Sequence, residues 1–237
     1  MRVLDLFSGI GGFAIGMEMA GHKTVAFCEC DDFCQKLLRK RFTMVPIFND
    51  VRKLQYDGTV DIITGGFPCQ DISLANSGKM RGLEGEKSGL WSEFYKQIKR
   101  HNPSWVIIEN SPVLRSKGLD RILYELAQIG YDAEWHCIPA TAVDAPHSRD
   151  RIWIISYPIS IGNRLSKGQI LTGRHFIEYT PERSPEPEVR RVADGVPRQV
   201  DRLRTLGNSI VPSIPYVIGM AINDTIKSLP PTTREKE

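Results

Sequence analysis

The sequence lacks any apolar run of membrane-spanning length. Its longest ones, such as Trp105 to Ile108 and Ile152 to Ile155, are strand-sized, far short of the roughly 18 to 20 residues that cross a bilayer. Asp5 interrupts the start Met1-Arg2-Val3-Leu4 where a signal peptide would extend its apolar core, so no export is expected. Cysteines are few and odd in number, five at positions 28, 30, 34, 69 and 137. That excludes a disulfide framework and fits free thiols in a reducing cytoplasm. Cys28, Cys30 and Cys34 have no second Cys/His pair at ligand spacing, so no metal is expected. The formal charge is only +3, too mild to argue for nucleic acid by itself. No internal repeat is visible. What remains is a 237-residue chain, 41% hydrophobic, long enough for one large domain with a small appendage.

Up to about residue 157, short apolar runs alternate with helical patterns. Candidate strands are Arg2–Phe7, Lys23–Cys28, Asp61–Thr64, Ser104–Glu109, Tyr131–Ile138 and Arg151–Tyr157. Between them Phe13–Ala20, Phe33–Arg41, Leu90–Arg100 and Leu119–Gln128 carry apolar residues at helical spacing. This alternation predicts a mostly parallel sheet covered by helices on both faces, with the last two strands antiparallel because only a loop joins them. Residues 158–193 are polar and hold Pro181, Pro185 and Pro187, which reads as a loop-rich segment and not a second full domain. From Tyr157 to Leu206 there are nine Lys/Arg against six acids, so the whole formal excess of the chain falls there. That makes it the candidate polyanion contact, the plain alternative being a solvated loop. Residues 194–229 return to regular structure, with a closing helix over Val211–Lys227 and Pro212 near its first turn. Residues 230–237 read as a frayed tail.

Four strand ends carry chemistry. After the first strand, Phe7-Ser8-Gly9-Ile10-Gly11-Gly12 leads into a helix, where glycines let backbone amides approach a ligand and the helix N-terminus favours negative charge. Such a loop serves a dinucleotide, an adenosyl cofactor or nothing. Glu29 ends the second strand about 20 residues on, where an acid hydrogen-bonds ribose hydroxyls, and Asp50 is placed to face an adenine amino group. Cys69 follows Gly65-Gly66-Phe67-Pro68, a glycine-hinged loop in which proline fixes the backbone direction. A nucleophile and a buried structural thiol are both compatible with it. Residues 76–88 hold three glycines with Lys79, Arg81 and Lys87, which suits a basic lid or a linker. Glu109-Asn110 closes an apolar strand, where desolvation favours a protonated carboxyl. Arg149 and Arg151 alternate, which points both to one face, as phosphate or carbonyl binders or as surface charges.

Taken together these residues resemble the C5-cytosine DNA methyltransferases, over about residues 1–157 and 194–224, in a compact form similar to phage or prophage members. The resemblance rests on Asp5 to Gly12, Gly66-Phe67-Pro68-Cys69-Gln70 with Ser73, Ser88-Gly89-Leu90-Trp91, Glu109-Asn110, Arg149-Asp150-Arg151 and Gly207-Asn208-Ser209. It implies a Rossmann-like S-adenosylmethionine-dependent methyltransferase fold. It implies Phe7, Gly9, Gly11, Gly12, Glu29, Asp50, Pro68, Leu90, Asn208 and Ser209 as cofactor contacts, with Cys69, Glu109, Arg149 and Arg151 as the catalytic set. Gln70, Ser73, Lys79, Arg81, Arg190 and Arg191 are the implied DNA contacts. The implied partners are duplex DNA and a restriction endonuclease of the same system, met by a cytoplasmic monomer without metal.

The implied reaction is attack of the Cys69 thiolate on cytosine C6, assisted by Glu109 at N3, so that C5 becomes nucleophilic. Arg151 would hold the cytosine carbonyl, Arg149 would steady the nucleophile loop or the base, and loop 70–88 would close over a flipped base. A tRNA-cytosine methyltransferase shares these motifs and is the alternative. Two departures from the family pattern stand out: His147 replaces the usual glutamine before the paired arginines, and 158–193 is far shorter than the usual recognition region.

Overall fold

The computed structural model describes residues 1–68, 89–145, 147–163, 165, 170–177 and 209–229. Within them, strands β1 (Arg2–Leu6), β2 (Lys23–Cys28), β3 (Ile47–Phe48), β4 (Ile62–Gly65), β5 (Trp105–Asn110), β6 (Tyr131–Pro139) and β7 (Asp150–Pro158) form one sheet. Its order is β3-β2-β1-β4-β5-β7-β6. The pairings from β3 to β5 are parallel, and β7 runs antiparallel to both β5 and β6. The mostly parallel sheet with an antiparallel strand is thus the architecture expected from the alternation of apolar runs. Parallel strands need a crossover, and the runs of β4 and β5 are continuously apolar because both of their faces are buried.

The helices are α1 (Gly12–Met19), α2 (Asp32–Arg41), α3 (Leu90–His101), α4 (Leu114–Lys117), α5 (Leu119–Gln128), α6 (Ile159–Gly162), α7 (Gly173–Ile177) and α8 (Ser213–Ser228). Alternate strand residues separate two cores. Leu4, Leu6, Ile63, Val106 and Ile108 pack against Trp91 and Phe94 of α3 and Ile122 and Leu126 of α5. On the other face Val3, Ile62, Trp105, Ile107 and Ile155 meet Phe13 and Met17 of α1 and Ile214, Val217, Ile218 and Ile222 of α8. Glycine permits the close seating of α8 on α1: a Cβ on Gly16 would lie 2.2 Å from the Pro212 carbonyl oxygen, and one on Gly12 2.5 Å from that of Ile210. Two short helices and the buried pair Ile170 and Leu171 occupy the stretch read from sequence as loop-rich.

Strand order reverses between β1 and β4, the neighbours from which the chain winds outward in opposite directions. In open α/β sheets the crevice outside the carboxyl ends of such a pair is the ligand site. Because β7 is reversed, its first residues also lie at that edge: Asn110 is opposite Ile152, and Glu109 is opposite Trp153. Its last residue, Pro158, lies opposite Tyr131, at the far edge. No helix among the described residues is long and apolar enough to cross a membrane.

Candidate active site

The loop after β1 holds Phe7 in a conformation that its side chain resists. Phe7 has φ of 53°, Gly9 also 53° and Gly11 87°. A bulky side chain in the left-handed region is strained, so the surroundings must impose it. They do: the Ser8 hydroxyl donates to the Asp5 carbonyl at 2.7 Å, Ser8 N donates to the Cys28 carbonyl at 3.2 Å, and Phe7 stacks on Phe94 at 6.3 Å. The Gly9 amide donates to Glu29 Oε2 at 2.6 Å, and Glu29 Oε1 accepts from Asp31 N at 2.8 Å. Glu29 therefore braces the loop from the end of β2, at the position where a ribose contact was expected. A Cβ built on Gly9 meets nothing within 4 Å, so this side of the loop is open to a ligand.

Asp50 lies one strand further out, with a carboxylate that accepts from Arg52 N at 3.0 Å and Arg52 Nε at 2.9 Å. The Arg52 side-chain hydrogen bond holds this acid below the usual carboxylate range. Leu90, at the first turn of α3, packs on the core beside Trp91, and Pro68 is half-buried. Ser209 adjoins Ile210, whose carbonyl rests on Gly12 at the N-terminus of α1. The chain's end thus returns to the opening glycine loop. Cys69, Gln70, Ser73, Lys79, Arg81, Arg190, Arg191 and Asn208 lie outside the described residues.

Glu109 and the loop after β4 form the second half. Glu109 is only 9% exposed, and its Oε1 lies 2.8 Å from Arg151 Nε. Burial pushes its proton affinity up; the positive fields of Arg151 and Arg149 and the Arg151 hydrogen bond oppose this, and burial prevails. Gly66 lies close against this carboxyl, since a Cβ there would meet Glu109 Oε2 at 2.7 Å and push it aside. The neighbouring Asn110, 2% exposed, donates from Nδ2 to the Phe67 carbonyl at 3.1 Å and accepts from Ser111 N at 2.8 Å. It ties the Gly66-Phe67-Pro68 loop to the end of β5. The geometry thus brings Glu109, Arg149, Arg151 and the residues leading into Cys69 together, and sets Gly9, Gly11, Gly12 and Glu29 beside them at one sheet edge.

Asn110 and Asp5 belong to the sequence motifs, but their individual roles are visible only in the structure. Asn110 was named only as the partner of Glu109, and its grip on Phe67 is a long-range contact with no local signature. Asp5 is completely buried beneath the glycine loop; its Oδ1 accepts from Thr64 Oγ1 at 2.7 Å, while Oδ2 has no hydrogen-bond partner among the described residues. Desolvation pushes this acid up to about 8, against the Thr64 hydrogen bond. An acid inside the apolar run Val3-Leu4-Asp5-Leu6 was the available signal.

Comparison with known proteins adds the following. The family model for C-5 cytosine-specific DNA methylase matches residues 1–207. The chain is 33% identical over 164 residues to the Type II methyltransferase M2.BsuMI of Bacillus subtilis, covering 66% of this chain and 42% of that protein. It is 35% identical over 163 residues to the Type II methyltransferase M.DsaV of Dactylococcopsis salina, covering 66% and 46%. The chain spans under half the length of these two relatives. Among solved structures, the S. pombe Dnmt2 methyltransferase superposes with a TM-score of 0.57 at 18% identity, over 67% of this chain and 51% of that one, a likeness of fold.

Proposed function

The chain belongs to the C-5 cytosine-specific DNA methylase family, and from that premise we propose that it methylates C5 of cytosine in duplex DNA with S-adenosylmethionine. The observation that supports this most is the buried Glu109 carboxyl, paired with Arg151 at 2.8 Å, against the loop that leads into Cys69. Cys69 follows Pro68 by one peptide bond and Gly66 by three. A nucleophile and a proton-bearing carboxyl on adjacent strand ends are what a cytosine ring requires, because its C5 is too electron-poor to react unaided.

In this reading the Cys69 thiolate forms a bond to C6 of the flipped base. The electron pair displaced from the C5–C6 double bond moves into the ring, and Glu109 supplies a proton or hydrogen bond at N3 to stabilise it. When bound, S-adenosylmethionine would supply the electrophilic methyl group that C5 accepts, with S-adenosylhomocysteine as the leaving group. Loss of the C5 proton then expels the thiolate and restores the aromatic ring. Arg151 orients Glu109 and holds the base carbonyl, while Arg149 adds positive potential to the same pocket.

The residues present fit the cofactor. Phe7, Gly9, Gly11, Gly12, Glu29 and Asp50, with Pro68, Leu90, Asn208 and Ser209, are the set proposed to hold it. The open face of Gly9, which a side chain on any other residue would fill, supports that assignment. Gln70, Ser73, Lys79, Arg81, Arg190 and Arg191 are the proposed DNA contacts. The test is incubation with labelled S-adenosylmethionine and, in parallel, duplex DNA and tRNA, followed by bisulfite sequencing of DNA from a methylation-free host expressing the chain. Label in duplex DNA and 5-methylcytosine in a fixed sequence context are expected. Label confined to tRNA would overturn the reading in favour of the RNA substrate.

A further inference from the structure

Phe67 is clamped at two points just ahead of Cys69. Its carbonyl accepts from Asn110 Nδ2 at 3.1 Å. Its buried ring meets the indole of Trp91, with centroids 5.8 Å apart. Pro68 then leaves the backbone little freedom. The geometry at which the chain leaves Pro68 for Cys69 therefore depends on where Trp91 sits.

Trp91, at the start of α3, stands between Phe67 and a fixed wall. That wall is Phe94, completely buried, whose ring lies 5.8 Å from the indole at an interplanar angle of 28°. Phe94 has no room to yield. It stacks on Phe7 at 6.3 Å, and a Cβ on Gly65 would come within 2.7 Å of its Cε2. Any turn of the indole is thus taken up by Phe67.

Ring contacts are individually weak and leave a flat indole free to slide in its own plane, whereas a hydrogen bond at its rim fixes it. Of these three rings only Trp91 carries a hydrogen-bonding group. Its Nε1 donates to Glu125 Oε2 on α5, 34 residues along the chain. The other carboxylate oxygen, Oε1, accepts from Arg121 Nε at 2.9 Å one helical turn back, which holds the Glu125 side chain in place. Trp91 is 1% exposed, so loss of the acceptor leaves a buried N–H unpaired and the indole must turn to find another partner.

We propose that Glu125 is a positioning residue for methyl transfer: from α5 it sets the orientation of Trp91, and through Phe67 the angle at which the loop after β4 delivers Cys69. The methyl transfer rests on the function proposed above; the seating of Trp91 does not. The experiment compares wild type, Glu125→Gln, which keeps an acceptor, and Glu125→Leu, which keeps volume without one. In Glu125→Leu the kcat for duplex methylation is expected to fall about tenfold or more, with KM for S-adenosylmethionine and duplex within about twofold of wild type. The rate of Cys69 alkylation by iodoacetamide, read by mass spectrometry, should change about threefold or more. The Trp91 indole N–H resonance, identified by its loss in Trp91→Phe, should shift. Glu125→Gln should restore all three readings. If Glu125→Leu does not fold, Arg121→Met, which loosens Glu125 at the surface, should show the same split with a fall in kcat of about threefold.

A Trp91 resonance unmoved in Glu125→Leu would overturn the anchoring. A lowered Tm with kcat and alkylation unchanged would reduce Glu125 to a structural contact and overturn the positioning role, as would equal losses in the Gln and Leu variants. If Arg121→Met stands in, an unchanged kcat would do the same. A wild-type protein that methylates no duplex DNA would fail the functional reading instead, and the alkylation rate and indole resonance would still decide this proposal.

Discussion

Arg151 Nε meets Glu109 Oε1 at 2.8 Å across neighbouring antiparallel strands. The pair sets the proton affinity of the central acid, which burial raises and Arg151 restrains. Replacing Arg151 with Met removes the restraint and keeps the burial, so the Glu109 carboxyl should titrate higher still, as read by carbon NMR of labelled glutamate. The folded state then holds a proton that the unfolded chain has lost, so stability should fall as pH rises above the ordinary carboxylate range. At pH 8 the expected deficit relative to wild type is about 1–3 kcal/mol, since a buried charge loses its partner. Duplex methylation should fall at least about a hundredfold with it.

Gly66 and Gly16 separate two kinds of close approach. A methyl on Gly66 strikes Glu109 Oε2, the tip of a side chain, whereas one on Gly16 strikes the Pro212 carbonyl, which is backbone. Gly66→Ala should therefore cost activity first, by displacing Glu109 from Arg151, with little change in Tm. Gly16→Ala should lower stability by about 1–3 kcal/mol through separation of α1 and α8. Denaturant titration and turnover, measured together on both variants, check the contrast.

Asp5 predicts a distinct pH dependence of stability. Its folded value is pushed up to about 8, while the unfolded chain ionises near the ordinary 3.9. Between those limits the folded protein holds one more proton than the unfolded, so stability falls with rising pH, by at most about 1.4 kcal/mol per unit. Asp5→Asn keeps the shape and removes the titration. Its stability curve should be flatter than that of wild type from pH 5 to pH 8. Parallel curves would contradict a buried, proton-holding Asp5.

Arg190 and Arg191 belong to the stretch that carries the chain's positive excess. If they meet phosphates, the double alanine variant weakens duplex binding and reduces the slope of log affinity against log salt by about 1 per lost contact. An unchanged slope places the phosphate contacts elsewhere.

Much of this architecture was legible because it is written in local pattern. Runs such as Val106-Ile107-Ile108 and Ile152 to Ile155 announce strands buried on both faces, and the helices between them fix parallel pairing. The glycine loop, Glu29, Glu109 and the paired arginines are all at strand ends, where the pattern switches and polar residues have no core role. What escaped has a long-range cause. β3 is two residues long, too short for any period. Asn110 reaches Phe67, and Glu134 reaches Ile170 and Leu171, across separations of 43, 36 and 37 residues that no window spans. The low apolar content of 158–193 concealed that Ile170 and Leu171 complete the core under α8.

The central claim, that Cys69 and Glu109 act together on a cytosine ring, is tested most directly by trapping the covalent intermediate. Duplex DNA carrying 5-fluorocytosine retains the blocking fluorine at C5, so the thiolate cannot be released after methyl transfer. With S-adenosylmethionine present, wild-type protein should form a complex that survives denaturing electrophoresis. Cys69→Ser should form none while still binding the cofactor, and Glu109→Gln should form it at least about a hundredfold more slowly. An adduct undiminished in Cys69→Ser would contradict the account.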